Sequence, residues 1–288
     1  MRWTIRLHWV EIVTLQIYFL TFKLTTMKRL LTLTAIVLIT LNMNAQNNPP
    51  QLYLLFEFMQ VKGENGSDYQ QVEEFWSGIH KQRVADKSIL GWDLWSLTPS
   101  GTKQGSQFLT VTLFASLQDM LKAINSLDVA GYAKKAYPNK TEKDIMAMYD
   151  KTGKSRDMAN QVLFKMVDQT KGDFDMKVGT LATLDIMKQL DDSYEKVESE
   201  IFKPWHQQMV DQGKKGNWGL LRAILPAGSE AYGTHITFSM YKDEAQLASF
   251  MEDSGGDMNM TTQLAVKEGL KTREDKEVKL AKLVMTVK

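Results

Sequence analysis

Two stretches, "GIHKQRVADKSILGW" (78–92) and "PWHQQMVDQGKKGNW" (204–218), each place a histidine twelve residues ahead of a tryptophan. Beyond residue 45 the chain has three histidines, and two of them, His80 and His206, fall in this register. An imidazole changes charge near neutral pH, so either could serve as ligand donor, general base or axial haem ligand. Each follows an aromatic residue by four positions (Trp76, Phe202), at the edge of a helical apolar stripe, where a packed histidine is the plainer reading. Trp92 and Trp218 could wall a flat apolar ligand, or simply fill core. Arg156 and Arg273, in "SRD" and "TRE", could clamp a carboxylate or phosphate, with Asp157 and Glu274 as the expected ion-pair alternatives. Glu74 and Glu200 precede the histidines by six residues, which is off the same helical face, so no Glu–His metal pair is expected. Lys165 and Lys282 are expected as paired or snorkelling strand lysines. "TGKS" (152–155) lacks the glycine that a phosphate-binding loop needs at 148, where Met148 stands. No residue is assigned as catalytic, no metal site is expected, and the cofactor is left open.

Composition narrows the field. With no cysteine among 288 residues, disulfides, thiolate metal sites and cysteine nucleophiles are excluded. Met27 begins "MKRLLTLTAIVLITLNMNAQ", with a basic start, a short apolar run over 30–41 and a small residue at Ala45. That is a signal-peptide layout over 27–45, with residues 1–26 upstream of the expected start and a linker over 46–51. Its apolar run is too short to span a bilayer, so the mature chain is expected to carry no stable membrane span. The leader takes five of the 35 basic and one of the 34 acidic residues, leaving 30 against 33, a net charge of −3. Without basic patches, nucleic acid is not an expected partner. The cysteine-free exported chain suits the periplasm or exterior of a Gram-negative bacterium.

The elements that must position these residues come in two similar sets. A shift of 126 aligns Trp76 with Phe202, His80 with His206 and Trp92 with Trp218. A shift of 127 sets "FLTVTLF" (108–114) on "HITFSMY" (235–241), and a shift of 117 sets Arg156 on Arg273. Each set reads β-α-β-β-α-β. The first predicts strands at 52–61, 91–97, 108–114 and 161–168, with helices at 69–86, 117–135 and 141–150. The second predicts strands at 176–188, 217–225, 234–242 and 278–287, helices at 191–212 and 243–252, and an irregular stretch over 253–275. Pro204 should kink its helix. The fold class is therefore α+β, with tandem ferredoxin-like units over 52–170 and 171–288. The apolar sets Leu109/Val111/Leu113 and Ile236/Phe238/Met240 are expected under the helices. The hydroxyl-and-aromatic sets Phe108/Thr110/Thr112/Phe114 and His235/Thr237/Ser239/Tyr241 are expected to face the other unit.

On this element order and these matched blocks, the chain resembles the dimeric α+β barrel superfamily, with its NIPSNAP-like and antibiotic-biosynthesis-monooxygenase-like members. Here the resemblance is to a fused form covering about 52–288. It implies an intramolecular pseudo-dimer, monomeric or further oligomerised, with an apolar pocket in each unit. No family signature can be matched residue by residue. The sequence thus points to an exported binder of a small apolar or aromatic ligand, with His80, His206, Trp92, Trp218, Arg156 and Arg273 as candidate contacts. The alternative is an enzyme like the cofactor-independent monooxygenases or the haem-handling members.

Overall fold

The computed structural model describes residues 51–61, 65–101, 103–253 and 259–288. The expected signal peptide and upstream segment lie outside the described residues. Eight strands form a closed antiparallel barrel: β1 (Tyr53–Val61), β2 (Gly91–Thr98), β3 (Phe108–Phe114), β4 (Arg156–Gln169), β5 (Leu181–Gln189), β6 (Asn217–Leu225), β7 (His235–Tyr241) and β8 (Arg273–Val287). Around the wall the order is β1-β3-β2-β8-β5-β7-β6-β4, and β4 closes on β1. Helix α1 (Gly66–Ala85) links β1 to β2, while α2 (Leu117–Ser126), α3 (Val129–Ala136) and α4 (Glu142–Ser155) link β3 to β4. After β5 come α5 (Tyr194–Val197), a π turn (Glu198–Phe202) and α6 (Lys203–Asp211). Helices α7 (Glu244–Glu252) and α8 (Met260–Gly269), then a 3-10 turn (Leu270–Thr272), lead into β8. Among the described residues, no helix is long and apolar enough to cross a membrane.

All eight strands send side chains into the barrel, among them Phe56, Trp95, Leu109, Phe164, Leu184, Leu221, Ile236 and Leu283. A barrel closed on every side by strands excludes water from its interior, so the interior must be apolar. This reverses the expected faces. Leu109, Val111, Ile236 and Phe238 fill the barrel, whereas Phe114, packed outside it, and Thr110 and Thr112 look out under the helices. Period-two alternation separates two faces; it does not say which one is inside. Strand β2 alternates without interruption, because the register shift opposite Leu94 and Trp95 places the extra residue, Val284, in β8. Trp92 and Leu94 therefore pack outside the barrel, and Trp95 and Leu97 inside.

The helix expected over 117–135 is two helices, because Asp128 breaks it by accepting the Gly131 N–H as an N-cap. The stretch expected to be irregular contains α8, capped by the Asn259 side chain accepting from the Thr262 N–H. Strands β4 and β8 start five residues earlier than the sequence indicated, since their exposed polar beginnings have no apolar alternation. β5 in turn starts later, at Leu181. At Pro204 the helix does not simply kink. The preceding turn widens to a π turn in which the Lys203 N–H bonds to the Glu198 carbonyl, five residues back. Proline then falls at the start of α6, where a missing N–H costs little.

Candidate functional site

Glu73, Trp76, His80 and Arg83 recur at spacings of three and four along α1 and form one stripe facing the outer surface of the sheet. The buried His80 ring lies between two indoles: Trp92 of β2 at 4.8 Å and 18°, and Trp76 at 5.9 Å and 28°. His206 of α6 stacks on Trp218 of β6 in the same way, at 4.8 Å and 13°. The twelve-residue spacing in the sequence is thus a stacked imidazole–indole pair, made twice.

Both imidazoles meet a cation at Nδ1. Arg83 Nη1 lies 3.2 Å from His80 Nδ1, and Lys215 Nζ lies 3.0 Å from His206 Nδ1. A guanidinium only donates, so its partner nitrogen must accept, which assigns the ring proton to Nε2. Burial, then the neighbouring cation, holds His80 well below the usual imidazole range and His206 down at about 2. Both rings are neutral Nε2–H donors. An axial haem ligand or a general base acting through Nε2 would need a free lone pair there, so neither role fits. Among the described residues, no group of three His, Asp or Glu could hold a metal ion.

The arginines do not pair with Asp157 and Glu274, because successive strand residues point to opposite faces. Arg156 Nε reaches Glu73 Oε1 at 3.2 Å, and Arg273 pairs with Glu198 and, at 3.3 Å, with Asp275. Glu274 is bridged to Lys276 instead. Glu73 and Glu198 are almost fully buried, and burial raises Glu73 to about 7. Sequence reasoning weighed Glu74 and Glu200 and missed these two. The signal was there in the first helix: Glu73 precedes His80 by seven residues, which returns to the same face. In the second helix the spacing is eight, and the π turn takes up the extra residue.

His80, Trp92 and Arg156 line one cavity of about 1020 Å3 between α1, α2, α4 and the outer face of the sheet. Trp76, Phe114 and Tyr149 add aromatic wall, and Glu57, Thr110, Thr112 and Gln161 add polar groups. Glu57 is oriented by hydrogen bonds from Thr110 Oγ1 (3.2 Å) and Gln161 Nε2 (3.1 Å). On the lining, the buried Glu73 Oε1 and Arg156 Nε face each other as an ion pair at 3.2 Å, while the buried Arg83 Nε lacks a hydrogen-bond partner. A buried polar atom without a partner is rare in a folded protein and calls for an explanation such as a water, ion or ligand. His206, Trp218 and Arg273 do not join this cavity. They belong to the corresponding place beside β6 and β7, where Lys215 is buried and donates to Ser239 Oγ at 2.9 Å. Lys215 had no signal in the sequence, since "GKKGN" reads as a loop.

No protein-family model and no curated sequence matches the chain. Among solved structures it is similar to a candidate monooxygenase from Fusobacterium nucleatum, with a TM-score of 0.52 and 10% identity, covering 82% of this chain and 93% of that one. It is also similar to an anthrone oxidase-like protein, with a TM-score of 0.50 and 12% identity over 83% and 94% of the two chains. A candidate chlorite dismutase follows at 0.46 and 9%, covering 82% and 96%. At these identities the likeness is one of fold: the chain has the dimeric α+β barrel fold, as the sequence resemblance implied.

Proposed function

We propose that the protein binds a small aromatic ligand, one per chain, in the cavity over α1 and β1–β3. The observation that carries this reading is a roomy aromatic-walled cavity lined by buried polar residues, among them a neutral imidazole at His80 and an arginine, Arg83, whose Nε has no hydrogen-bond partner. His80 would donate through Nε2–H, Glu57 would accept, and Trp76, Trp92 and Phe114 would supply the apolar surface. We further infer a fused pseudo-dimer exported to the bacterial envelope. Support for the fusion is that the order β4-β1-β3-β2 recurs as β8-β5-β7-β6, together with the twice-made His–Trp stack.

The test is titration of the protein with 1-naphthol, following tryptophan fluorescence. Saturable quenching at one site, lost in Ala123→Phe, supports the reading; no saturable binding overturns it. Export predicts that protein recovered from the envelope begins at Gln46. A second reading, cofactor-independent oxygenation of the same ligand, is favoured by the Glu73 carboxyl held at about 7 beside the cavity, suited to accept a proton near neutral pH. Oxygen uptake dependent on the bound aromatic, and lost in Glu73→Gln, would support it.

A further inference from the structure

The two sides of the barrel handle the same space differently. Helices α2 and α7 both start at side-chain N-caps, Ser116 and Asp243, and both bury the residue four positions on, Met120 and Leu247. Seven positions on, α2 has Ala123 and α7 has Phe250. Ala123 lines the open cavity. The Phe250 ring instead covers the Lys215 ammonium, with Nζ 4.4 Å from the ring centroid. Lys215 is the cation that holds His206 Nδ1, the part Arg83 plays for His80. On the α7 side, therefore, a ring lies on the histidine's cation. On the α2 side the cation is present and buried, its Nε lacks a partner, and it and Ala123 both line the cavity.

We propose that the cavity receives the aromatic ring of its ligand flat against the Arg83 guanidinium, in the space that Phe250 fills on the other side of the barrel. The ligand is thereby specified as an electron-rich arene rather than any apolar molecule of similar volume. A guanidinium attracts the negative face of such a ring and stacks well on it, most strongly where water is excluded. Ala123 sets the size limit, and Arg83 positions the ring. The other charged groups on the lining (Glu57, Glu73, Asp150, Lys154, Arg156 and Asp157) include both signs and leave a neutral ring acceptable.

This inference rests on the ligand site proposed above, and a matched pair of probes separates the two. Decahydro-1-naphthol has the shape and hydroxyl of 1-naphthol without the π face. The expected result is 1-naphthol binding about tenfold tighter, with 1-nitronaphthalene weaker than 1-naphthol, Arg83→Lys keeping much of the preference and Arg83→Met losing it. Should Arg83→Met fail to fold, the probe series on the wild-type chain decides alone. Phe250→Ala should add a second naphthol site, raising the stoichiometry from one to two. If the saturated probe binds as well as the arene, the cavity is a ligand site and the ring-on-Arg83 inference is overturned. If neither probe binds, both readings fall.

Discussion

Lys215 is a deeply buried cation, and it offers a sharp test. It is 2% exposed, and burial lowers it from 10.5 to about 8. In the unfolded chain it keeps its ordinary value, so between pH 8 and 10.5 the unfolded state binds more protons than the folded one. Stability contributed by this group therefore rises with pH through that window. Integrated from pH 7.5 to 9.5, the difference amounts to about 2 kcal/mol. Lys215→Met keeps the space beneath Phe250, Trp205 and Tyr241 filled and removes the titration. Urea unfolding of both proteins at half-unit pH steps gives the difference directly, and tyrosine ionisation, common to both, cancels in it. The expected outcome is a wild type that gains about 2 kcal/mol on Lys215→Met across the range. A difference that stays flat would refute the assignment of a buried, desolvated ammonium to this position.

Three further outcomes are expected. Glu73→Gln should flatten a fall in wild-type stability between pH 4.5 and 7, because a carboxyl raised to about 7 binds its proton more tightly folded than unfolded; thermal melts at pH 4.5 and 7 read this. Gly219→Ala would set a Cβ 2.4 Å from the Phe238 ring across the β6–β7 pair, and should lower stability by about 1–3 kcal/mol in denaturant melts. Trp218→Ala removes a fully buried indole and the surface on which His206 stacks, and should lower stability by about 3–5 kcal/mol by the same measurement.

The sequence carried the element order and the His–Trp echo well, because strands with Gly- or Pro-marked ends and a strong apolar stripe leave local signals. β3 and β6 matched to the residue. What it could not carry was which side of each strand is inside. Thr110 and Thr112 are as buried as Leu109 and Val111, the first pair under helices and the second in the barrel. Only closure of the wall by β2–β8 and β4–β6 separates the two environments, and those pairings join residues far apart in the chain. The ion pairs of Arg156 with Glu73 and of Arg273 with Glu198 were hidden for the same reason, since those carboxylates lie on distant helical turns. Lys215 lay beyond reach, for nothing in two consecutive lysines between glycines marks one as internal.

The π turn at Glu198–Phe202 leaves the second long helix with a spare residue. A chain lacking Ile201, which is exposed, could rewind this turn as an ordinary helix and still keep Glu198 and His206 on a common face, now seven apart like Glu73 and His80. The protein thus holds a built-in tolerance for length change at one point of a helix. The register between a buried carboxylate and a stacked imidazole is kept by geometry rather than by residue count.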